Sequence, residues 1–274
     1  MQPNRAQAAR LHIVLIGGTL LMVAPFLWMI SASLQTYAEI EAFPPVWIPA
    51  VPQWGNYMAS LTEFQTARAL VNSSIVTLIS VAGQLLICSL SAYAFSRLRF
   101  PGRDPLFLLY LATMMIPHYV TIIPLYTLVW SAGLIDTYAA LIVPGLFSPF
   151  GTFLLRQFFN QIPISLDEAT LIDGGSHWQI FWHVILPLAR PGLGALGIFS
   201  FLGIWNTLFW PVLVINSKEK FTLPLALAMA QGQFISLIHV QMAGAVIACI
   251  PVILVFLMLQ RQFISSLALS GMKG

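Results

Sequence analysis

Long stretches of this 274-residue chain hold no Asp, Glu, Lys or Arg, among them 11–38, 69–96, 105–135, 137–155, 191–217 and 221–260. Each is near or above the roughly 20 residues that an α-helix needs to cross a ~30 Å hydrocarbon core. Composition agrees, with 58% hydrophobic and 8% charged residues, where soluble domains carry about a quarter charged. The pattern predicts an all-α, polytopic membrane protein of about six transmembrane helices, organised as one transmembrane domain over residues 1–274. The expected spans are Leu11–Ser33, Leu70–Phe95, Pro105–Val129, Thr137–Phe158, Leu188–Ile215 and His239–Gln260. Pro224, Gln231, Gly232 and Gln233 assign the first part of the last charge-free stretch, 221–238, to a loop or interfacial segment. The first span is too long for a signal-peptide core and lacks a small-residue cleavage site, so it is expected to remain.

Lys and Arg set the orientation. With the N-terminus inside, the inner segments hold Arg5, Arg10, Arg97, Arg99, Arg103, Arg156, Arg190, Arg261 and Lys273, and the outer ones only Arg68, Lys218 and Lys220. That asymmetry over short loops satisfies the positive-inside rule and places both termini in the cytoplasm. The net charge of +3 is explained by this topology and calls for no nucleic-acid partner. Cys88 and Cys249 fall inside apolar spans without paired spacing and read as small packing residues.

The spans carry almost no ionisable residue at membrane depth, where transporters that move ions or protons alone keep them. His118, beside Pro117, is the exception and reads as a packing histidine rather than a proton relay. No phosphate-binding G-x-x-x-x-G-K-[ST] loop occurs, nor G-x-S-x-G, nor H-E-x-x-H. No catalytic, cofactor or metal site is expected, and any energy for work must come from another chain.

One polar element interrupts the apolar pattern: "DEATLIDGGSHWQIFWHVILP", residues 167–187. Ser165-Leu166-Asp167-Glu168 has the form of a capping box after Pro163, which predicts a helix starting near Leu166. Gly174 and Gly175 stop it, and Ser176-His177-Trp178-Gln179 repeats the capping pattern to start a second helix. Ala169, Ile172 and Leu166 form a small apolar stripe beside Glu168 and Asp173. Such a helix can lie in a partner's groove with its acids on basic residues, whereas its acidity disfavours resting on lipid headgroups.

Glu168-Ala169-Thr170, then Asp173-Gly174-Gly175, Phe181 and Ile185-Leu186-Pro187 resemble the E-A-A…G…I-L-P loop of ABC importer permeases. The chain is most similar to the carbohydrate-uptake, maltose-type branch, and the likeness covers most of it. "FPPVWIPAVPQWGNY", "AYAFSRLRFPGR", "FLGIWNTLFWPVLVI" and the terminal "QRQFISSLALSGMKG" also match that branch. The resemblance implies the ABC importer transmembrane fold, with residues 165–187 as the coupling element seated in a cytoplasmic ATPase. Glu168, Ala169, Ile172, Asp173 and Gly174 would form its first limb, with Glu168 bonding in the cleft and Gly174 making the turn. Trp178, Leu186 and Pro187 would belong to the second. It further implies a homologous second permease, an ATPase dimer, an extracytoplasmic substrate-binding protein and a sugar or oligosaccharide cargo in a prokaryotic cell membrane. Thr170, Gly175 and His177 depart from the family's Ala, Ala and Pro, which suggests a looser bend.

Candidate path residues lie elsewhere. Ser73, Thr77, Ser80, Gln84, Cys88 and Ser91 recur at three or four residues on one helix face. Most suit helix packing; Gln84, being large, is the first candidate for the path, with Ser80 and Thr77 behind it. Trp205 and Asn206 offer a stacking ring and a donor–acceptor amide to a sugar. Trp210 suits an interfacial belt, and Thr207 stands where relatives often have Glu. The rival readings are a glycerol phosphate or phosphodiester importer of the same architecture, a secondary transporter, which should show mid-membrane charge, and a membrane enzyme, for which His118 has no visible partner.

Overall fold

A computed structural model describes residues 5–233 and 237–271, with side chains over 10–230 and 237–260. In chain order the helices are α1 (Arg5–Ser33), α2 (Tyr37–Glu41), α3 (Gly55–Glu63), α4 (Thr66–Arg97) and α5 (Arg103–Ala112). They continue with α6 (His118–Ser131), α7 (Tyr138–Ile142), α8 (Pro149–Gln161), α9 (Ser165–Ile172) and α10 (His177–Gln179). The last are α11 (Leu186–Leu188), α12 (Arg190–Trp205), α13 (Phe209–Val214), α14 (Leu223–Gln233) and α15 (Ile238–Gly271). A π-helical turn, Ile180–Ile185, joins α10 to α11. No strand occurs among the described residues.

Three helical segments are long and apolar enough to cross a membrane unbroken: Arg10–Ser33, Thr66–Arg97 and Ile238–Gln260. Three further crossings exist only as bent pairs, giving six in all if each pair is one span. Arg103–Met115 and His118–Ser131 meet at 100°, Tyr138–Leu146 and Pro149–Gln161 at 44°, and His177–Leu188 and Arg190–Trp205 at 76°. Proline sets the first two breaks. Ile116, before Pro117, is extended (ψ 119°), because a proline ring disfavours helix in the residue before it. Pro149 occupies the start of α8, whose first turn is capped by Ser148 Oγ accepting from Gly151 N at 3.0 Å.

Two expectations need correction. The fifth span is not continuous to Ile215: α12 ends at Trp205 and α13 begins at Phe209, because Pro211 supplies no N–H to bond the carbonyl four residues back, at Thr207. Of the two readings of 221–238, a loop or an interfacial segment, the loop is set aside by α14, Leu223–Gln233. Pro224 sits in its first turn, where proline is favoured, and Leu and Ala are strong helix formers.

The chain divides into two compact units. In the first, residues 1–68 with 226–251, Phe64, Ala230 and Val240 form a small core. Asn56 Nδ2 donates to the carbonyls of Ser33 and Gln35, both at 2.9 Å, which satisfies the end of α1. In the second, residues 69–225 with 252–274, one core gathers Cys88, Tyr93, Leu155, Phe159, Phe181 and Leu196. Another gathers Val76, Val129, Leu141, Trp210 and Val214.

Gly151 lets α8 approach the first of these cores. A Cβ there would meet Cys88 Sγ at 2.9 Å and Leu196 Cδ1 at 3.0 Å, and both neighbours are fully buried. Gly151→Val is expected to cost about 1–3 kcal/mol through overpacking. In thermal melts of the detergent-solubilised protein, the smaller loss from Gly151→Ala should be partly relieved by adding Cys88→Ala.

Candidate functional site

The segment 162–187 folds as two short helical limbs around a bend. The capping box expected at Ser165 does not form: Ile164 holds the cap position and Ser165 is already helical. The Glu168 amide that such a box would satisfy is occupied, since Glu168 N donates to Ile164 O at 3.1 Å. The stop at the glycines is as expected. Gly174 N donates to Leu171 O and Gly175 N to Thr170 O, with Gly174 at φ +83°, the paired bonds of a Schellman ending. A Cβ on Gly175 would lie 2.8 Å from the Thr170 carbonyl oxygen and 2.7 Å from its Cγ2, so two of the departing residues touch each other. The second capping box does form: Ser176 Oγ accepts from Gln179 N, and Gln179 Oε1 accepts from Ser176 N at 2.7 Å.

The amphipathicity of α9 is inverted for a helix lying on a protein core. Its carboxylate Asp167 is buried at 7% exposure, while Ile172 is 86% exposed and Leu171 45%. Glu168, Ala169, Asp173 and Gly174 share the outward surface, and Trp178 of α10 adds an exposed indole. Leu186 and Pro187 are half-buried at the end of the π turn, which sinks Ile180, Phe181 and Ile185 into the core. Burial pushes the Asp167 carboxyl upward against the pull of Arg97, whose Nε lies 3.2 Å from Oδ2.

At the opposite end of α4 the second unit encloses a cavity of about 180 Å³. Ser73, Thr77, His118, Thr207, Trp210 and Thr222 give it polar edges among Val76, Leu125, Leu141 and Ile204. The Thr222 hydroxyl is buried without a partner, as is that of Ser80 one turn below Thr77. Gln84 donates its amide to Gly145 O at 2.9 Å, at the break between α7 and α8. Trp205 is buried and stacked on Phe201, and exposed Asn206 donates back to Leu202 O. Of the five path candidates, Thr77 lines the cavity and the other four are not among its lining residues. His118, Thr207 and Trp210, noted in the sequence for other reasons, do line it. Trp210 Nε1 donates to Ala140 O at 2.9 Å.

The segment 216–223 is strapped beside this cavity. Asp136, at φ +57°, accepts from Asn216 N, Ser217 N, Ser217 Oγ and Lys220 Nζ. Asn72 Nδ2 donates to the carbonyls of Glu219 and Phe221, and Ser73 Oγ accepts from Leu223 N.

Residues 84–268 match the model of the binding-protein-dependent transport system inner membrane component family. The chain belongs to that family. This permease is 32% identical to the diacetylchitobiose uptake system permease protein NgcG of Streptomyces coelicolor, over 97% of its own length and 89% of the relative's. It is 36% identical to the arabinooligosaccharides transport system permease protein AraQ of Bacillus subtilis, over 74% and 72%. It is 33% identical to the sulfoquinovosyl glycerol transport system permease protein SmoH of Agrobacterium fabrum, over 100% and 94%. Its fold matches a chain in the crystal structure of a bacterial ABC transporter that imports alginate. The TM-score is 0.83 at 24% identity, covering 96% of the permease and 99% of that chain.

The Ser217 hydroxyl and amide, followed by the Lys220 ammonium, hold the Asp136 carboxyl of this permease well below the usual carboxylate range. A depressed carboxyl contributes stability above its unfolded pKa of about 3.9 and loses it as pH falls through the folded value. Asp136→Asn is therefore expected to lower the melting temperature by several degrees, equally across about pH 5–8. The deficit should shrink below about pH 4, where the wild type loses the same contribution. At the bend, Gly174→Val should reduce transport more than Gly174→Asn, since Asn tolerates a left-handed backbone and a β-branched residue does not.

Proposed function

We propose that this permease forms half of the translocation path of an ATP-driven importer for a sugar or oligosaccharide and couples to a cytoplasmic ATPase through residues 165–187. The observation that carries the proposal is the outward surface of α9 and α10, where Glu168, Ala169, Ile172 and Trp178 are all exposed. An apolar helix surface flanked by acids, held rigidly at one end of a membrane protein, suits a groove with basic residues in a partner. Arg97, Arg99, Arg103, Arg156 and Arg190 sit in the segments assigned to the same side, and the positive-inside rule makes that side cytoplasmic.

The relatives named above carry carbohydrates or a glycoside of glycerol, which supports a sugar as cargo. The cavity is lined by neither Lys nor Arg, so its chemistry favours neutral hydroxyl-rich cargo over a phosphate ester. A second, homologous permease would complete the path. The ATPase dimer, closing on ATP, would shift the coupling helices, and an extracytoplasmic binding protein would deliver the substrate to the outward-turned cavity.

The test is to co-purify the permease with its neighbouring subunits in nanodiscs and compare wild type with Glu168→Lys and Ile172→Asp. Each variant is expected to weaken retention of the ATPase or its stimulation by loaded binding protein by about tenfold, the equivalent of ~1.4 kcal/mol at the contact. Wild-type retention and stimulation in both variants would refute docking through α9.

A further inference from the structure

Two arginines tie together the end of the second unit that carries α9, and each serves the other's helix. Arg97, in the last turn of α4, sends one guanidinium nitrogen to Phe159 O at 2.8 Å and Ile162 O at 2.7 Å, at the end of α8. Its Nε faces the Asp167 carboxylate of α9 at 3.2 Å. Arg156 of α8 answers by donating from Nε to Phe95 O of α4 at 3.1 Å. It also pairs with Asp104 at 3.4 Å and lies 4.1 Å over the Phe107 ring of α5. The last carbonyls of a helix lack the usual partner within it, and here each helix's arginine donates to carbonyls at the end of the other.

The Arg97–Asp167 pair is nearly sealed from solvent, with side chains 6% and 10% exposed. Burying two charges is a poor way to gain stability, because an apolar pair of similar volume is often as good or better. What an ion pair adds is a fixed position. A second tie lies across the bend, where the Tyr93 hydroxyl and His177 Nδ1 are 3.2 Å apart. Tyr93 and Arg97 are four residues apart and share one face of α4, so its last turn holds both limbs of the 165–187 segment.

α4 is also suited to carry motion. Its 32 residues run without a break or an internal proline, about 48 Å at 1.5 Å per residue. The crossings that lie wholly within the second unit are, by contrast, the three bent pairs. Toward its other end α4 contributes Ser73 and Thr77 to the cavity, and Asn72 to the strap at 219–221.

We propose that Arg97 and Asp167 are positioning residues that lock α9 to α4 and α8, so that displacement imposed on α9 is delivered along α4 to the cavity. This rests on the docking role proposed for α9. Loss of the pair should therefore disconnect import from ATP hydrolysis instead of abolishing either docking or folding.

The experiment measures import and ATP hydrolysis in parallel on the complete complex in proteoliposomes with loaded binding protein. The variants are Arg97→Ala, Asp167→Asn and the apolar double Arg97→Met with Asp167→Leu, alongside the charge exchange Arg97→Asp with Asp167→Arg. The apolar double variant is expected to assemble and hydrolyse ATP, with the ATP consumed per substrate imported rising about tenfold, within the range of measured couplings between sites. The charge exchange should restore part of the ratio. An unchanged ratio in the apolar double variant overturns the proposal. So does failure of all four variants to assemble, which would make the pair a folding element. Glu168→Lys in the same assay separates the two ideas. If it leaves ATPase retention and import intact, docking through α9 is wrong; if it disrupts them while the apolar pair keeps the wild-type ratio, only the positioning role is wrong.

Discussion

A carbonyl at the end of a membrane helix has no following turn to bond it, and little water near the hydrocarbon to replace one. In this permease Arg97 and Arg156 supply the missing donors reciprocally between α4 and α8. The exchange also places Arg97 against the 165–187 segment. One nitrogen of Arg97 is committed to the end of α8 while Nε lies 3.2 Å from Asp167 Oδ2, and a helix whose acid points in turns Ile172 and Glu168 out. An ordinary amphipathic loop helix would do the reverse. The exposed apolar surface of α9 thus accompanies the inward turn of Asp167.

The broken crossings obey the same requirement. At Pro117, Pro149 and the segment 206–208 the backbone leaves the helix, and side chains take over some of the lost bonds. Ser148 caps α8, and Gln84 reaches Gly145 O beside the break. Trp210, just after the break in the fifth span, bonds Ala140 O. These irregular places surround the cavity, in keeping with irregular backbone at membrane depth lining protein or cavity and not lipid. The straight helix α4 passes beside them with its small polar stripe turned toward the breaks. Most of that stripe therefore packs, with Ser73 bonding Leu223 N and Cys88 bonding Ser148 O.

Much of the fold and of the candidate site was legible in the chain. Span count, the glycine bend, the second capping box and the family loop all rest on local signals: apolar length, the left-handed freedom of Gly174, and the Ser176–Gln179 pairing. Asp167 was overlooked because the charge beside it, Glu168, carried the recognisable motif, and nothing local says which of two adjacent acids faces the protein. The first capping box was misjudged for a similar reason, since the Glu168 amide it would serve already donates to Ile164 O.

By itself, the sequence determined that this protein crosses a membrane about six times and that one polar, glycine-broken element interrupts its apolar pattern. Both follow from transfer of side chains and from backbone conformation, which are properties of short stretches. Only the tertiary structure decided that Arg97 and Asp167 meet across 70 residues of chain. It also decided that His118, Thr207 and Trp210 share a cavity while Trp205 and Asn206 are not among its lining residues. Those outcomes depend on which elements pack together, and helical periodicity says which residues share a face without saying what that face will meet.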